Sequence, residues 1–112
     1  MTPSADAVIL AGRDGNITAW NDAAEALFGF SAAEVMGRSL DVIIPEHLRA
    51  AHWAAYDRAM QTGKTANETA PRKTRALHKD GRKLYVDMAF GVVISNGVAT
   101  GATATARLHV KP

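Results

Sequence analysis

The chain has 112 residues, of which 47% are hydrophobic and 21% charged, a profile typical of one compact domain rather than a disordered or collagen-like chain. It contains no cysteine, which excludes disulfides, thiolate metal sites, thiol nucleophiles and any chromophore bonded through sulfur. A net charge of +2 is too small to indicate a nucleic-acid partner. The apolar runs fall far short of the ~20 residues that span a bilayer, and the N-terminus lacks the features of a signal peptide, so we expect a cytoplasmic protein without a membrane partner.

Alanine is unusually frequent: 22 alanines stand beside seven aromatic residues. Where alanine lines a core, fewer large side chains remain to fill it. The surplus therefore indicates either tight packing or space kept for a ligand.

The chain order begins with a hairpin. We expect residues 1–6 to be a tail and residues 7–110 to form a single domain. Strands are predicted from Ala7 to Ala11 and from Ile17 to Trp20, because Asp14-Gly15 between them is a strong signal for a tight turn.

Three helical segments follow. Asn21 can cap a short helix from Asp22 to Phe28, and Ser31 and Glu34 have the spacing of a capping box. A longer helix is predicted from Pro45 to Gly63, since proline fits a first turn and glycine ends a helix. One face of it carries Leu48, His52, Ala55, Tyr56, Ala59 and Met60.

The rest of the chain reads as three strands. They are predicted from Lys64 to about Leu77, from Arg82 to Ile94, and from the turn at Asn96-Gly97 to Val110. On the middle strand, apolar side chains alternate with mostly polar ones, which predicts a strand with one buried face. The apolar positions are Leu84, Val86, Met88 and Phe90.

This order, with its short motifs, resembles the PAS sensory domain over essentially the whole chain. The motifs are Asp14-Gly15, Trp20-Asn21, the run from Ala24 to Ser31, Glu34 to Gly37, Ile44 to Glu46, and Lys79-Asp80-Gly81. The resemblance implies an α+β PAS fold, in which a five-stranded antiparallel sheet has helices packed on one face. It also implies a small-molecule pocket between the sheet and the long helix.

Within that family the chain looks most like the haem-binding oxygen sensors. Their long helix carries a proximal histidine after a Pro-Glu and Arg element, which corresponds here to His52, and an arginine twenty positions downstream, which corresponds to Arg72. The resemblance implies that His52 is the axial metal ligand of haem b and that Arg72 donates a hydrogen bond to bound oxygen.

The chain also departs from that branch. Met88 and Phe90 replace an aliphatic pair that crowds the distal ligand, and Ala66 stands where a propionate-binding histidine would be. The closing Asp-x-Thr of the family is replaced by Thr105-Ala106-Arg107. These differences bear on how haem fits and on how a signal leaves the domain.

Each candidate residue has a simpler explanation beside the cofactor role. His52 could be a core histidine satisfied by a carbonyl or water, and Arg72 an exposed arginine in a basic run. Arg58 suits a haem propionate because a guanidinium pairs with a carboxylate in forked geometry, but it could equally be solvated. Tyr56 could pack on a cofactor ring or simply belong to the core.

The remaining histidines, His47, His78 and His109, have no metal-ligand spacing with His52, and we expect them to be surface residues. No triad order, carboxylate pair in a pocket context or phosphate loop is present, so nothing predicts an enzyme.

The last strand gives two conflicting predictions. Simple alternation turns Ala102, Ala104 and Ala106 toward the core, whereas the family resemblance places Gly101 toward the ligand and the alanine row outward. An exposed apolar sheet face usually marks an interface, so the second arrangement predicts a homodimer or docking of a signalling partner there.

Together these observations predict a signal-transduction sensor that binds haem b and detects oxygen or another diatomic gas. The alternative is a haem-free PAS module for protein interaction and dimerisation, with an apolar pocket that is empty or holds a small molecule.

Overall fold

The computed structural model describes residues 6–63 and 72–109. Its elements are β1 (Ala7–Gly12), β2 (Ile17–Trp20), α1 (Asp22–Phe28), α2 (Ala32–Val35), a 3-10 helix (Leu40–Ile43), α3 (Glu46–Thr62), β3 (Arg72–Leu77), β4 (Lys83–Ser95) and β5 (Val98–Leu108). The five strands form one antiparallel sheet in the order β2-β1-β5-β4-β3. The predicted α+β fold, with helices on a five-stranded sheet, is confirmed.

The β1–β2 turn shows why Gly15 is glycine. Its φ of 83° lies in the left-handed region, and a Cβ there would sit 2.3 Å from the indole ring of Trp53 on α3. Asp14 accepts the amide of Asn16 at 3.0 Å, which closes the turn. The turn thus brings the hairpin into contact with the long helix.

Local signals also set the helix ends. The Asn21 side chain accepts the amide of Ala24 at 2.9 Å, and both hydrogen bonds of the capping box join Ser31 and Glu34. Helix α3 follows Pro45 and ends at Gly63, whose φ is 74°. The three helices predicted from sequence are therefore confirmed.

The structure describes strand β3 over Arg72–Leu77, the later part of the predicted strand. The predicted strand residues 64–71, including Ala66, lie outside the described residues, as does Val110. On β4 the predicted alternation holds as far as Met88, because Val86 and Met88 are buried whereas Lys83 and Tyr85 are exposed; Phe90, predicted on the same buried face, is 36% exposed.

Strand β5 resolves the conflict between the two registers. The pairing with β4 shifts between Val93 and Ile94. Ala99, which precedes this shift along β5, is buried. Beyond it, Ala102, Ala104 and Ala106 pack against the core, as alternation predicts.

The expectation that Gly101 faces the ligand is corrected. A Cβ at Gly101 would lie 2.2 Å from the carbonyl oxygen of Ala11 on β1, so the missing side chain permits close approach of two strands. Because the alanine row faces inward, it does not form the outer face on which the interface prediction relied.

The core under α1 and α2 contains fully buried side chains. Phe28 and Val35 have no exposed surface, and the rings of Trp20 and Phe28 lie 5.5 Å apart. The Trp20 indole donates to the carbonyl of Phe30 at 3.0 Å. Within residues 6–63 and 72–109, no helix is both long and apolar enough to cross a membrane.

Candidate functional site

A cavity of about 480 Å³ lies between α3 and the inner face of the sheet. This volume falls within the ~300–1,000 Å³ of typical small-molecule sites. Its helix wall comprises Leu48, His52, Ala55, Tyr56, Arg58, Ala59 and Thr62. Its sheet wall comprises Ile9, Ala11, Arg72, Thr74, Arg75, Ala76, Met88, Phe90, Ala102, Thr103 and Ala104, and Leu40, Ile43 and Ile44 close one side.

The fold brings nearly all of the predicted site residues to this cavity. His52 and Tyr56 line it from successive turns of α3, and Arg58 contributes to it two residues further along the helix. Arg72, Met88 and Phe90 line it from the facing strands, with Arg72 and Met88 directly opposite each other in the β3–β4 pair. Gly101 is the exception and does not line the cavity.

His52 is the most distinctive of these residues. Its Nδ1 is buried and has no hydrogen-bond partner among the described protein groups, so no backbone carbonyl satisfies this nitrogen. Burial lowers the pKa of His52 from 6.5, and the charge of Asp41 only partly opposes this. The imidazole is therefore neutral at pH 7, the form that binds a metal.

Aromatic rings hold His52 in place. The ring of Trp53 meets it edge-on with centroids 4.5 Å apart, and that of Tyr56 lies 5.8 Å away. Trp53 is itself fixed, because its Nε1 donates to a carboxylate oxygen of Asp41 at 2.8 Å. Sequence reasoning missed Trp53 and Asp41; the adjacency of Trp53 to His52 was the only signal.

Tyr56 has a structural role in addition to lining the cavity. It is buried, and its hydroxyl donates to the carbonyl of Gly12 at the end of β1, with an O···O distance of 2.5 Å. Burial, with a smaller contribution from Asp14, raises the pKa of Tyr56 to about 12. This favours the core assignment for Tyr56 over a purely ligand-directed one.

Three arginines line the cavity, one of which the sequence did not single out. Arg58, Arg72 and Arg75 all contribute to its surface, and within the described residues none forms an ion pair with a carboxylate. Arg75, the unpredicted one, has its Nη1 3.5 Å from Nε2 of His47 at the start of α3. It belongs to the basic run from Arg72 to Lys83, which gave no reason to choose one member.

The other histidines differ from one another. His47 is exposed, as predicted. His78 and His109 are half-buried instead: the His78 ring packs where a Cβ of Gly29 would be, and Nδ1 of His109 lies 2.8 Å from a carboxylate oxygen of Asp87. Over the described part of the chain, no three His, Asp or Glu side chains group together as a metal site.

Comparison with known proteins assigns the family. The sequence profile of the PAS fold family matches residues 1–90, most of the chain, and the protein therefore belongs to that family. It is a PAS sensory domain of the kind found in signalling proteins.

One curated relative is the oxygen sensor protein DosP of Escherichia coli (strain K12), which is 32% identical over 89 residues. The match covers 80% of this chain but 11% of DosP, so the chain spans about a tenth of that relative.

Two solved structures share the fold. The PAS domain of a Colwellia psychrerythraea protein superposes with a TM-score of 0.80 at 21% identity, over 93% of this chain and 86% of that one. The PAS domain of the histidine kinase ThkA gives a TM-score of 0.60 at 25% identity, over 91% and 98% of the two chains.

Proposed function

We propose that the cavity holds haem b and that the domain senses oxygen or another diatomic gas, with His52 as the axial ligand. The observation that carries the proposal is the His52 ring, which lines an apolar cavity and keeps a buried nitrogen without a partner. When bound, haem supplies an iron whose second axial position is open to a gas.

The remaining residues suit the same ligand. Arg72 stands on the sheet wall, facing the helix that carries His52, and offers a cationic hydrogen-bond donor on that side. Arg58 lies on α3 beyond His52 and can pair with a carboxylate. Four alanines leave space between the helix wall and the sheet wall because their side chains are short: Ala55, Ala59, Ala102 and Ala104.

The comparison with DosP supports the gas-sensing part of the proposal. That relative is named an oxygen sensor protein, and the 32% identity extends over 80% of this chain. The lack of enzymatic activity, the cytoplasmic location and the homodimer stay predictions from the sequence.

The test is an absorption spectrum after reconstitution with haemin. We expect a Soret band that is lost or shifted in His52→Ala. The matched control is His109→Ala, which removes a histidine that lies just beyond the end of β5 and does not line the cavity, and it should leave the band unchanged. A wild-type protein without a Soret band, or an identical band in His52→Ala, would refute the assignment.

A haem-free interaction module is the second candidate. Val93, Ile94 and Val98 at the end of the β4–β5 hairpin are 39%, 49% and 55% exposed, an apolar surface that a partner could cover. Sedimentation of wild type and Ile94→Asp checks this: association that the variant abolishes, without a Soret band, would favour the module over the gas sensor.

A further inference from the structure

The charge on the cavity surface is one-sided. Arg58, Arg72 and Arg75 contribute to it, whereas its described lining contains no aspartate or glutamate. Three of the five arginines outside the cavity lie near carboxylate oxygens: Arg49, Arg82 and Arg107, at 3.8, 3.3 and 2.7 Å. The cavity thus joins an apolar interior to cations that the described protein groups do not neutralise.

Arg75 lies at a different end of the cavity surface from Arg58. It belongs to β3, the edge strand of the sheet, and its guanidinium reaches His47 at the first turn of α3. Arg58 lies eleven residues further along the same helix, about 16 Å away at the ~1.5 Å rise of an α-helix. The Arg75 end of the cavity is therefore separate from the Arg58 end.

We propose that Arg75, held near the start of α3 by His47, is an anion-binding group at this end of the cavity and that the ligand is an amphipathic carboxylate. The apolar walls would hold the body of the ligand, and the guanidinium would pair with the carboxylate in two parallel hydrogen bonds. Nε2 of His47 faces Nη1 of Arg75 as the acceptor and would orient the guanidinium from the helix side. The inference rests on the proposed function only in taking the cavity as the ligand site, and it does not require haem.

Two fluorescent probes with nearly the same aromatic skeleton test the charge preference. The first, 1-anilinonaphthalene-8-sulfonate, carries an anionic group, and the second, N-phenyl-1-naphthylamine, does not. Each is titrated into wild type, Arg75→Gln and Lys73→Gln. Lys73 is the matched control, because it lies two residues away on β3, does not line the cavity and stands over the Tyr85 ring at 5.4 Å.

We expect Arg75→Gln to weaken the anionic probe about tenfold and the neutral probe less than twofold, as the loss of one charge-assisted hydrogen-bonding group implies. Lys73→Gln should change neither probe by more than twofold. Equal losses of affinity for the anionic probe in the two variants would mean that the positive charge of β3 acts at long range rather than at one site, and would overturn the proposal. So would a wild-type protein that binds neither probe. The melting temperature of each variant verifies that it is folded.

Binding of haem and of haem dimethyl ester shows whether the carboxylate that Arg75 binds is a haem propionate or belongs to another ligand. If Arg75→Gln weakens haem but not the ester, the anion is a haem propionate. If neither changes while the anionic probe still depends on Arg75, the carboxylate belongs to a different amphipathic ligand and the proposal stands. Probe binding that depends on Arg75 in a protein without a Soret band would refute the haem assignment alone.

Discussion

Two regions of the inner sheet face are covered in different ways. The packed region, under α1 and α2, is formed by Ile17, Trp20, Ala24, Phe28 and Val35, none more than 7% exposed. The cavity region, under α3, is formed by Ala55, Ala59, Met88, Ala102 and Ala104, which surround about 480 Å³ of space. One sheet thus provides both a close-packed core and a ligand cavity, and the size of the facing side chains decides between them.

Alanine allows close packing in the packed region and leaves space in the cavity region. Ala24 has no exposed surface, because Phe28 and its neighbours fill the space around a short side chain. Ala102 and Ala104 face α3 across the cavity, where the opposing helix also presents alanines. The alanine surplus therefore reflects both tight packing and reserved space.

The largest contrast should come from truncating one phenylalanine in each region. Phe28→Ala removes a fully buried ring and should lower the free energy of unfolding by about 3–5 kcal/mol. Phe90→Ala removes a ring that lines the cavity and is 36% exposed, and should cost about 1 kcal/mol. Urea denaturation measures both, and equal losses would mean that the cavity region is as well packed as the rest.

Gly101 tests the border of the cavity, where β5 meets β1. In Gly101→Ala the new methyl group would lie 2.2 Å from the backbone oxygen of Ala11, which cannot move without shifting β1, and we expect a loss of about 3 kcal/mol.

Gly91→Ala is its control, since the nearest atom there is the hydroxyl of Thr103 at 3.0 Å, at the end of a side chain that can rotate. Thermal unfolding should show a clear drop for the first variant and a small one for the second. If Gly101→Ala is as stable as wild type, the close approach of β5 and β1 is contradicted, and the ligand-facing orientation of Gly101 that the resemblance implied is supported.

Enlarging an alanine should have different effects in the two regions. Ala24→Leu forces extra volume into a filled core and should destabilise the protein by about 1–3 kcal/mol. Ala102→Leu adds the same atoms to the cavity, so its effect on stability should be under about 1 kcal/mol while binding of either naphthalene probe is weakened. A destabilisation of similar size in both variants would contradict the difference in packing.

The sequence predicts the fold well because its strongest signals are local. Asp14-Gly15, the Ser31 capping box and the Gly63 stop each act within a few residues, and the structure contains all three. The β5 register depends instead on a pairing shift at Val93 and Ile94, which no local pattern announces.

The same distinction applies to the site. Helical spacing placed His52 and Tyr56 on one wall, and the family resemblance pointed to Arg72 on the other. The contacts Trp53–Asp41 and Arg75–His47 join residues 12 and 28 positions apart, so they depend on tertiary packing. The Tyr56–Gly12 hydrogen bond spans 44 positions, so it too depends on tertiary packing and could not be predicted from the sequence.

The smallest expected effect is a pH dependence that comes from the cavity wall. Burial lowers the pKa of His52 below 6.5 in the folded protein. As the pH falls below 6.5, the unfolded chain binds a proton at this residue that the folded chain does not, so stability decreases until the pH drops below the folded pKa. The contribution of His52 to the stability of the ligand-free protein should therefore decrease as the pH falls below about 6.5.

His52→Gln isolates this contribution, because the other three histidines are common to both proteins and cancel in the comparison. The lowered pKa values of Glu34 and Asp80 contribute stability that is lost only at lower pH, below their ordinary values of 4.5 and 3.8. Urea midpoints from pH 7 to 5 should therefore fall less steeply in the variant than in wild type. Parallel profiles would mean that His52 is protonated as readily in the folded chain as in the unfolded one, and that the cavity wall is hydrated rather than apolar.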